Sequence, residues 1–195
     1  MAHTPRDRVS KHDPRLVTLK LAKSLPRLRN LIANQTITSC IRGAQKPTFR
    51  IVHYSIQTNH MHLIVEADDR DSLACGMKGL GCRLARNLNK LWKRRGRVFP
   101  ERFYDSVLRS PRQVHNALKY VLNNRLKYGG HTKFAGNAPQ PDRYSSGRYF
   151  DGWLDAPTDF APDLNGAPIV AACWKIKHGW KRRYRAFTVD AVPGR

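Results

Sequence analysis

The stretch Phe49–Ala67, FRIVHYSIQTNHMHLIVEA, decides the architecture. Two β-branched, apolar runs, FRIVHYSIQ and HMHLIVEA, flank Thr58-Asn59, and the turn-prone Asn59 makes that pair a tight connection. The reading is an antiparallel hairpin. In its second strand His60 and His62 stand two residues apart, so both imidazoles leave one face with Cα atoms roughly 6.5–7 Å apart. An isolated H-x-H pair is more often two satisfied strand residues than a metal site, since a divalent ion needs at least a third protein ligand.

Outward from the hairpin, RLVTLKLA (15–22) alternates Leu16, Thr18 and Lys20 against Val17, Leu19 and Leu21, the period of a half-buried strand. From Ser24 to about Arg42 the residues Leu25, Leu28, Leu31, Ile32 and Ile41 recur at helical spacing. Ser24 is the expected N-cap and Pro26 lies in the first turn, although Thr36-Ile37-Thr38 weakens the middle. After the hairpin, Asp71 to Lys93 puts Leu73, Met77, Leu80, Leu84, Leu88, Leu91 and Trp92 on one stripe, opposite Lys78, Arg83, Arg86 and Lys90. GRVF reads as an extended arm and RFYDSVLRS as a strand. Ser110-Pro111 then opens a helix expected to run to Gly129-Gly130.

The order β-α-β-β-α-β-α predicts an α+β fold, a ferredoxin-like antiparallel sheet with helices on its face. Residues 1–130 form the expected catalytic domain. Residues 131–195, with Pro139, Pro141, Pro157, Pro162 and Pro168 and the basic aromatic run CWKIKHGWKRRYRAF, form a linker and C-terminal extension.

Charge narrows the partner class. Lys and Arg number 36 against 14 Asp and Glu, a formal net charge of +22 and a sequence pI near 10.6. Between Lys78 and Arg112 the basic run Arg83, Arg86, Lys90, Lys93, Arg94, Arg95 continues with only Glu101 and Asp105 to offset it, a field that calls for a polyanion. No apolar stretch approaches the roughly 20 residues of a membrane span, and MAHTPRDRVSKHDPR lacks the apolar core of a signal peptide, so a cytoplasmic protein without membrane partners is expected. Cys40, Cys75, Cys82 and Cys173 make no C-x-x-C pair and are expected as free thiols.

NHMHLIV followed by YVLNNRLKYG resembles the pairing of a His-hydrophobic-His strand with a tyrosine helix in single-tyrosine HUH nucleases, specifically the REP-associated tyrosine transposases and their insertion-sequence relatives. The order of segments is similar across roughly residues 15 to 130. The resemblance implies an HUH nuclease fold, RRM-like in its sheet, with His60 and His62 as metal ligands and Tyr120 as nucleophile. It also implies a polar ligand four residues after the tyrosine. Asn124 stands there, followed by Arg125 where the family commonly has proline, and Asn123 is the alternative. Positions i and i+4 of a helix share a face, which favours Asn124.

The chemistry so implied is cleavage of single-stranded or hairpin DNA with Mg²⁺ or Mn²⁺ as cofactor, through a 5′-phosphotyrosine intermediate. A domesticated DNA-binding protein without cleavage and a water-using metallohydrolase are the rival readings, and monomer and homodimer both remain open. Arg83, Arg86, Lys90, Lys93, Arg94 and Arg95 are the candidate phosphate contacts, with Trp92 either stacking on a base or packing in the core. In the tail, Lys181, Arg182 and Arg183, interleaved with Trp174 and Trp180, are either a nucleic-acid surface or the solvated face of a packed helix. Glu66 shares the histidines' face by parity but lies about 13 Å beyond His62, too far for a ligand.

Overall fold

The computed structural model describes residues 8–128, 140–155 and 169–194. Its centre is a four-stranded antiparallel sheet in the order β2-β3-β1-β4, built from β1 (Arg15–Lys20), β2 (Phe49–Ile56), β3 (His60–Ala67) and β4 (Tyr104–Val107). With α1 (Leu31–Gly43) between β1 and β2, and α2 (Arg70–Leu91) between β3 and β4, this is the ferredoxin-like arrangement expected. Gln57 N–H donates to His60 O, so Thr58-Asn59 is the two-residue hairpin loop.

Each sheet face has its own core. Met61, Leu63, Val65 and Ala67 of β3 join Val17 and Leu19 of β1 beneath α1 and α2. Ile64 looks the other way, into a second core of Val114, Leu118 and Val121 from α3 (Pro111–Leu122) with Phe150, Trp180 and Phe187 from the C-terminal extension. The histidines share the parity of Ile64 and therefore face α3. A β-bulge at Val52 keeps Phe49 and Ile51 on the same face as Tyr54 and Ile56, which period-2 alternation alone would not allow. Gly76 lets α2 approach β2 closely, because a Cβ there would stand 2.2 Å from the Phe49 ring.

The bounds of three helices differ from the sequence reading. The first helix starts at Leu31, capped by Asn30, whose side-chain oxygen accepts from Ala33 N–H; Ser24 is not its cap. Residues 21–28 spend their backbone donors elsewhere: Leu21 N–H goes to Asn59 O, Leu28 N–H to Thr58 O and Ala22 N–H to Val98 O. That segment buttresses the hairpin turn below His60 and is not helical. The second helix starts one residue earlier than expected, capped by Asp69, and ends at Leu91 with Trp92 as C-cap.

The third helix starts as expected with Ser110 in a full capping box and Pro111 in its first turn. It ends at Leu122, well short of Gly129-Gly130, which lies outside the described residues; Asn123 is its C-cap and Asn124–Tyr128 is a 3₁₀ turn. Asn123 Nδ2 donates to Thr188 O and Ala191 O, tying the helix end to the C-terminal segment. The i, i+4 argument for Tyr120 and Asn124 therefore does not hold as a statement about one continuous α-helix.

The described parts of the extension pack on the domain. Ser145 bridges to Ser55 and Tyr144 O accepts from Ile56 N–H, covering the β2 edge. Asp142 takes a bidentate pair from Arg29 at 2.8 and 2.9 Å. At the other end Glu66, buried, accepts from Ala172 and Cys173 N–H and pairs with Arg50, a structural role in keeping with its expected exclusion from the ligand set. The tail's Lys175–Gly179 is a single π turn, not a regular helix.

Candidate active site

Two elements that are far apart in sequence supply the candidate site: the first residues of β3 and the last turn of α3. His60 Nε2 and His62 Nε2 lie 3.1 Å apart, and the Tyr120 hydroxyl is 3.3 Å from His62 Nε2. The rings stack edgewise in sequence, 4.7 Å between the His60 and His62 centroids and 4.9 Å between those of His62 and Tyr120. His60 and Tyr120 are half-buried, while His62 is buried.

The far nitrogens are held. His60 Nδ1 donates to Asn59 Oδ1 at 2.9 Å, and His62 Nδ1 is hydrogen-bonded to Thr18 Oγ1 at 3.0 Å. A proton on each Nδ1 leaves both Nε2 lone pairs directed at the space beside Tyr120, the tautomer a metal ligand requires. Burial, and then the Lys20 charge, lower the His60 pKa. Burial first, then His60 and Lys127, lower that of His62 to about 4. Both shifts favour the neutral imidazole.

This donor set fits a divalent ion. Two ligands about 2.1 Å from a metal and at right angles to it are about 3.0 Å apart, which matches the Nε2 separation. Asn124 is wholly buried, with neither Oδ1 nor Nδ2 hydrogen-bonded among the described residues, whereas the Asn123 amide is engaged with the tail. Among the described residues no cluster of three or more His, Cys, Asp or Glu is present, so a third protein ligand would have to be of another kind, such as an amide.

Sequence reasoning missed the supporting residues Thr18, Asn59, Lys20 and Lys127. Thr18 and Lys20 share strand parity and sit opposite His62 and His60 across the β1–β3 ladder. That signal becomes readable only with the register. Lys127, in the 3₁₀ turn, places Nζ 5.4 Å from the centroid of the Tyr120 ring.

The candidate DNA contacts are spread over several elements. Arg83, Arg86 and Lys90 are exposed on α2, in the layer across the sheet from the His–Tyr cluster. Arg83 also lies against Gly43 at the end of α1. Lys93 and Arg95 are exposed beyond the helix, while Arg94 bonds Asn89 Oδ1 and Trp92 is half-buried against the α1/α2 core. In the tail, Lys181 pairs with Asp151, Arg182 lies over the exposed Trp174, Arg183 is exposed and Trp180 is buried.

No family model matches the chain, and no curated protein matches it by sequence. Among solved structures it is similar to a REP-associated tyrosine transposase bound to a REP hairpin, with TM-score 0.58 and 16% identity over 87% of this chain and 99% of that one. The chain has the fold of a REP-associated tyrosine transposase. At that identity the likeness speaks for the fold alone. Coverage of 87% takes it past the expected boundary at residue 130 into the C-terminal extension. Among the described residues no helix is long and apolar enough to cross a membrane.

Proposed function

We propose that this protein is a REP-associated tyrosine transposase-like enzyme that cleaves and rejoins single-stranded DNA bearing a hairpin, acting in the cytoplasm. The observation that carries this reading is the convergence of the Tyr120 hydroxyl, His62 Nε2 and His60 Nε2 within 3.3 Å steps on one face of the sheet. The structural neighbour, a tyrosine transposase bound to a REP hairpin, supports the substrate class, as does the net charge of +22.

Tyr120 is the nucleophile. Its oxygen attacks the scissile phosphorus, the bond to the 3′ oxygen breaks, and the phenolic proton is lost as the departing 3′ oxygen gains one. The products are a 5′-phosphotyrosine link and a free 3′ hydroxyl, with no water consumed. Attack of a 3′ hydroxyl on that link reverses the step, so strand transfer needs no nucleotide cofactor. His60 and His62, with Asn124, hold Mg²⁺ or Mn²⁺, which when bound supplies charge relief on the phosphoryl oxygen. Thr18 and Asn59 orient the imidazoles. Packing of α3 against β2 and β3 brings the phenol to them.

The test is a covalent adduct assay. A pool of 3′-labelled single-stranded hairpin oligonucleotides is incubated with the full chain and Mg²⁺ or Mn²⁺. A labelled protein band is expected, with mass spectrometry placing the nucleotide on Tyr120, and none from Tyr120→Phe. An adduct from Tyr120→Phe would overturn the reading. Salt-sensitive hairpin binding without an adduct would favour a binding protein, and cleavage that survives Tyr120→Phe would favour a water-using hydrolase.

A further inference from the structure

We propose that Lys20 and Lys127 form a clamp for the phosphate that shares the ion of the His60–His62 site, so that metal and phosphodiester bind there as a unit. The inference rests on the metal-site reading above and adds two residues and a coupling to it.

Lys20 ends β1 directly opposite His60, on the same face as Thr18 and His62. Lys127 comes from the 3₁₀ turn after α3 and stands over the Tyr120 ring, 5.4 Å from its centroid. Both side chains are exposed, and among the described residues neither is ion-paired with a carboxylate. Two ammonium groups from separate elements therefore border the His–Tyr cluster without counter-charge.

The donor set explains why that matters. The ligands of the proposed site, two imidazoles and an amide, are neutral, and no cluster of three or more metal-ligating acidic, histidine or cysteine side chains exists among the described residues. A divalent ion there adds to the charge of two nearby lysines, and the sum is repulsive. A hard cation also prefers oxygen to nitrogen donors. A phosphodiester supplies both an oxygen ligand and a negative charge, and the lysines then attract what the ion attracts. Binding free energies are reciprocal, so phosphate tightens metal and metal tightens phosphate.

Mn²⁺ binding to the full chain, followed by electron paramagnetic resonance, tests this with dimethyl phosphate as the probe. In the wild type, saturating dimethyl phosphate should tighten Mn²⁺ about tenfold, within the usual range of coupling between sites. In the Lys20→Met/Lys127→Met double variant that gain should fall below about twofold, while Mn²⁺ alone binds about threefold tighter because two repelling charges are gone. Lys20→Arg/Lys127→Arg should restore the coupling. Opposite movements of the two affinities are not expected from a merely structural role. Wild-type coupling in the double Met variant, or unchanged Mn²⁺ affinity without the probe, would overturn the clamp. His60→Ala/His62→Ala separates the layers of the argument: it should abolish specific Mn²⁺ binding with or without the probe. If it does not, the metal-site reading itself fails.

Discussion

The Tyr120 hydroxyl stands 3.3 Å from Nε2 of His62, although 58 residues of chain separate them. The hairpin presents the imidazole on the sheet face that α3 covers, and the capping box at Ser110 sets where α3 begins. Neither residue is placed by its own neighbours in sequence. Their approach is a product of tertiary packing, and the variants that test it need not touch either one.

Thr18→Val keeps the shape of the β1 side chain and removes the hydroxyl that holds His62 Nδ1 at 3.0 Å. Loss of such a supporting partner typically costs 10–100-fold in metal affinity or activity, and about that loss is expected in Mn²⁺ affinity. The urea midpoint should move little, since Thr18 is only half-buried. A Mn²⁺ titration beside a urea unfolding curve separates the two effects.

Lys93 is the non-glycine residue with positive φ, 49°, among those described. It occupies the left-handed position after α2, where Arg94 N–H reaches Asn89 O and Lys93 N–H reaches Lys90 O, a Schellman pattern that glycine ordinarily completes. A side chain in that conformation costs roughly 1–2 kcal/mol, partly offset by the entropy glycine adds to the unfolded chain. Lys93→Gly should therefore stabilise the fold by about 0.5–1 kcal/mol, read as a higher urea midpoint at unchanged m-value.

Acid should destabilise the fold through His53. Its side chain is 7% exposed, with Nδ1 3.2 Å from Ser146 Oγ and its ring edge-on to Phe150. Burial lowers its pKa to about 4, against a partial raising by Asp151. The unfolded chain takes up this proton near pH 6.5 while the native chain resists until about pH 4, so stability present above 6.5 is lost between those values and then levels off. The loss is at most about 3 kcal/mol. Urea unfolding at pH 7, 5.5 and 4.5 should show the fall, and His53→Gln should make it shallower, leaving the share of His62, whose pKa burial lowers likewise.

Legibility in the sequence followed how local each cause is. Hairpin, α2 stripe and Ser110-Pro111 cap are written in short-range periodicity and turn chemistry, and each formed near where it was read. The first helix was misplaced because the donors of residues 21–28 are claimed by Thr58 O, Asn59 O and Val98 O, partners no local window contains. The end of α3 was misplaced for the same reason, since the Asn123 amide is taken by carbonyls 65 and 68 residues away. In the candidate site, His60 and His62 were legible as a pair on one strand face, and their convergence with Tyr120 followed from the resemblance. Lys20 required the β1–β3 register, and Lys127 left no pattern at all.

Asn123 and Asn124 are adjacent and both buried, yet they should answer substitution oppositely. Asn123→Ala takes from Ala191 O the amide donor at 2.9 Å and from Thr188 O one of its two donors, leaving the latter only Ala191 N–H, and should cost about 1–3 kcal/mol of stability. Asn124 has two buried amide atoms with no hydrogen-bond partner among the described residues, a desolvation cost with no return in folding. Asn124→Leu, which replaces that amide with an apolar group of similar volume, should be neutral or stabilising by about 1 kcal/mol. If Asn124 completes the His60–His62 site, the same variant loses adduct formation and weakens Mn²⁺ at least tenfold, while Asn123→Ala keeps Mn²⁺ affinity near wild type wherever it remains folded. A destabilised Asn124→Leu protein with unchanged metal affinity would assign that asparagine to packing instead.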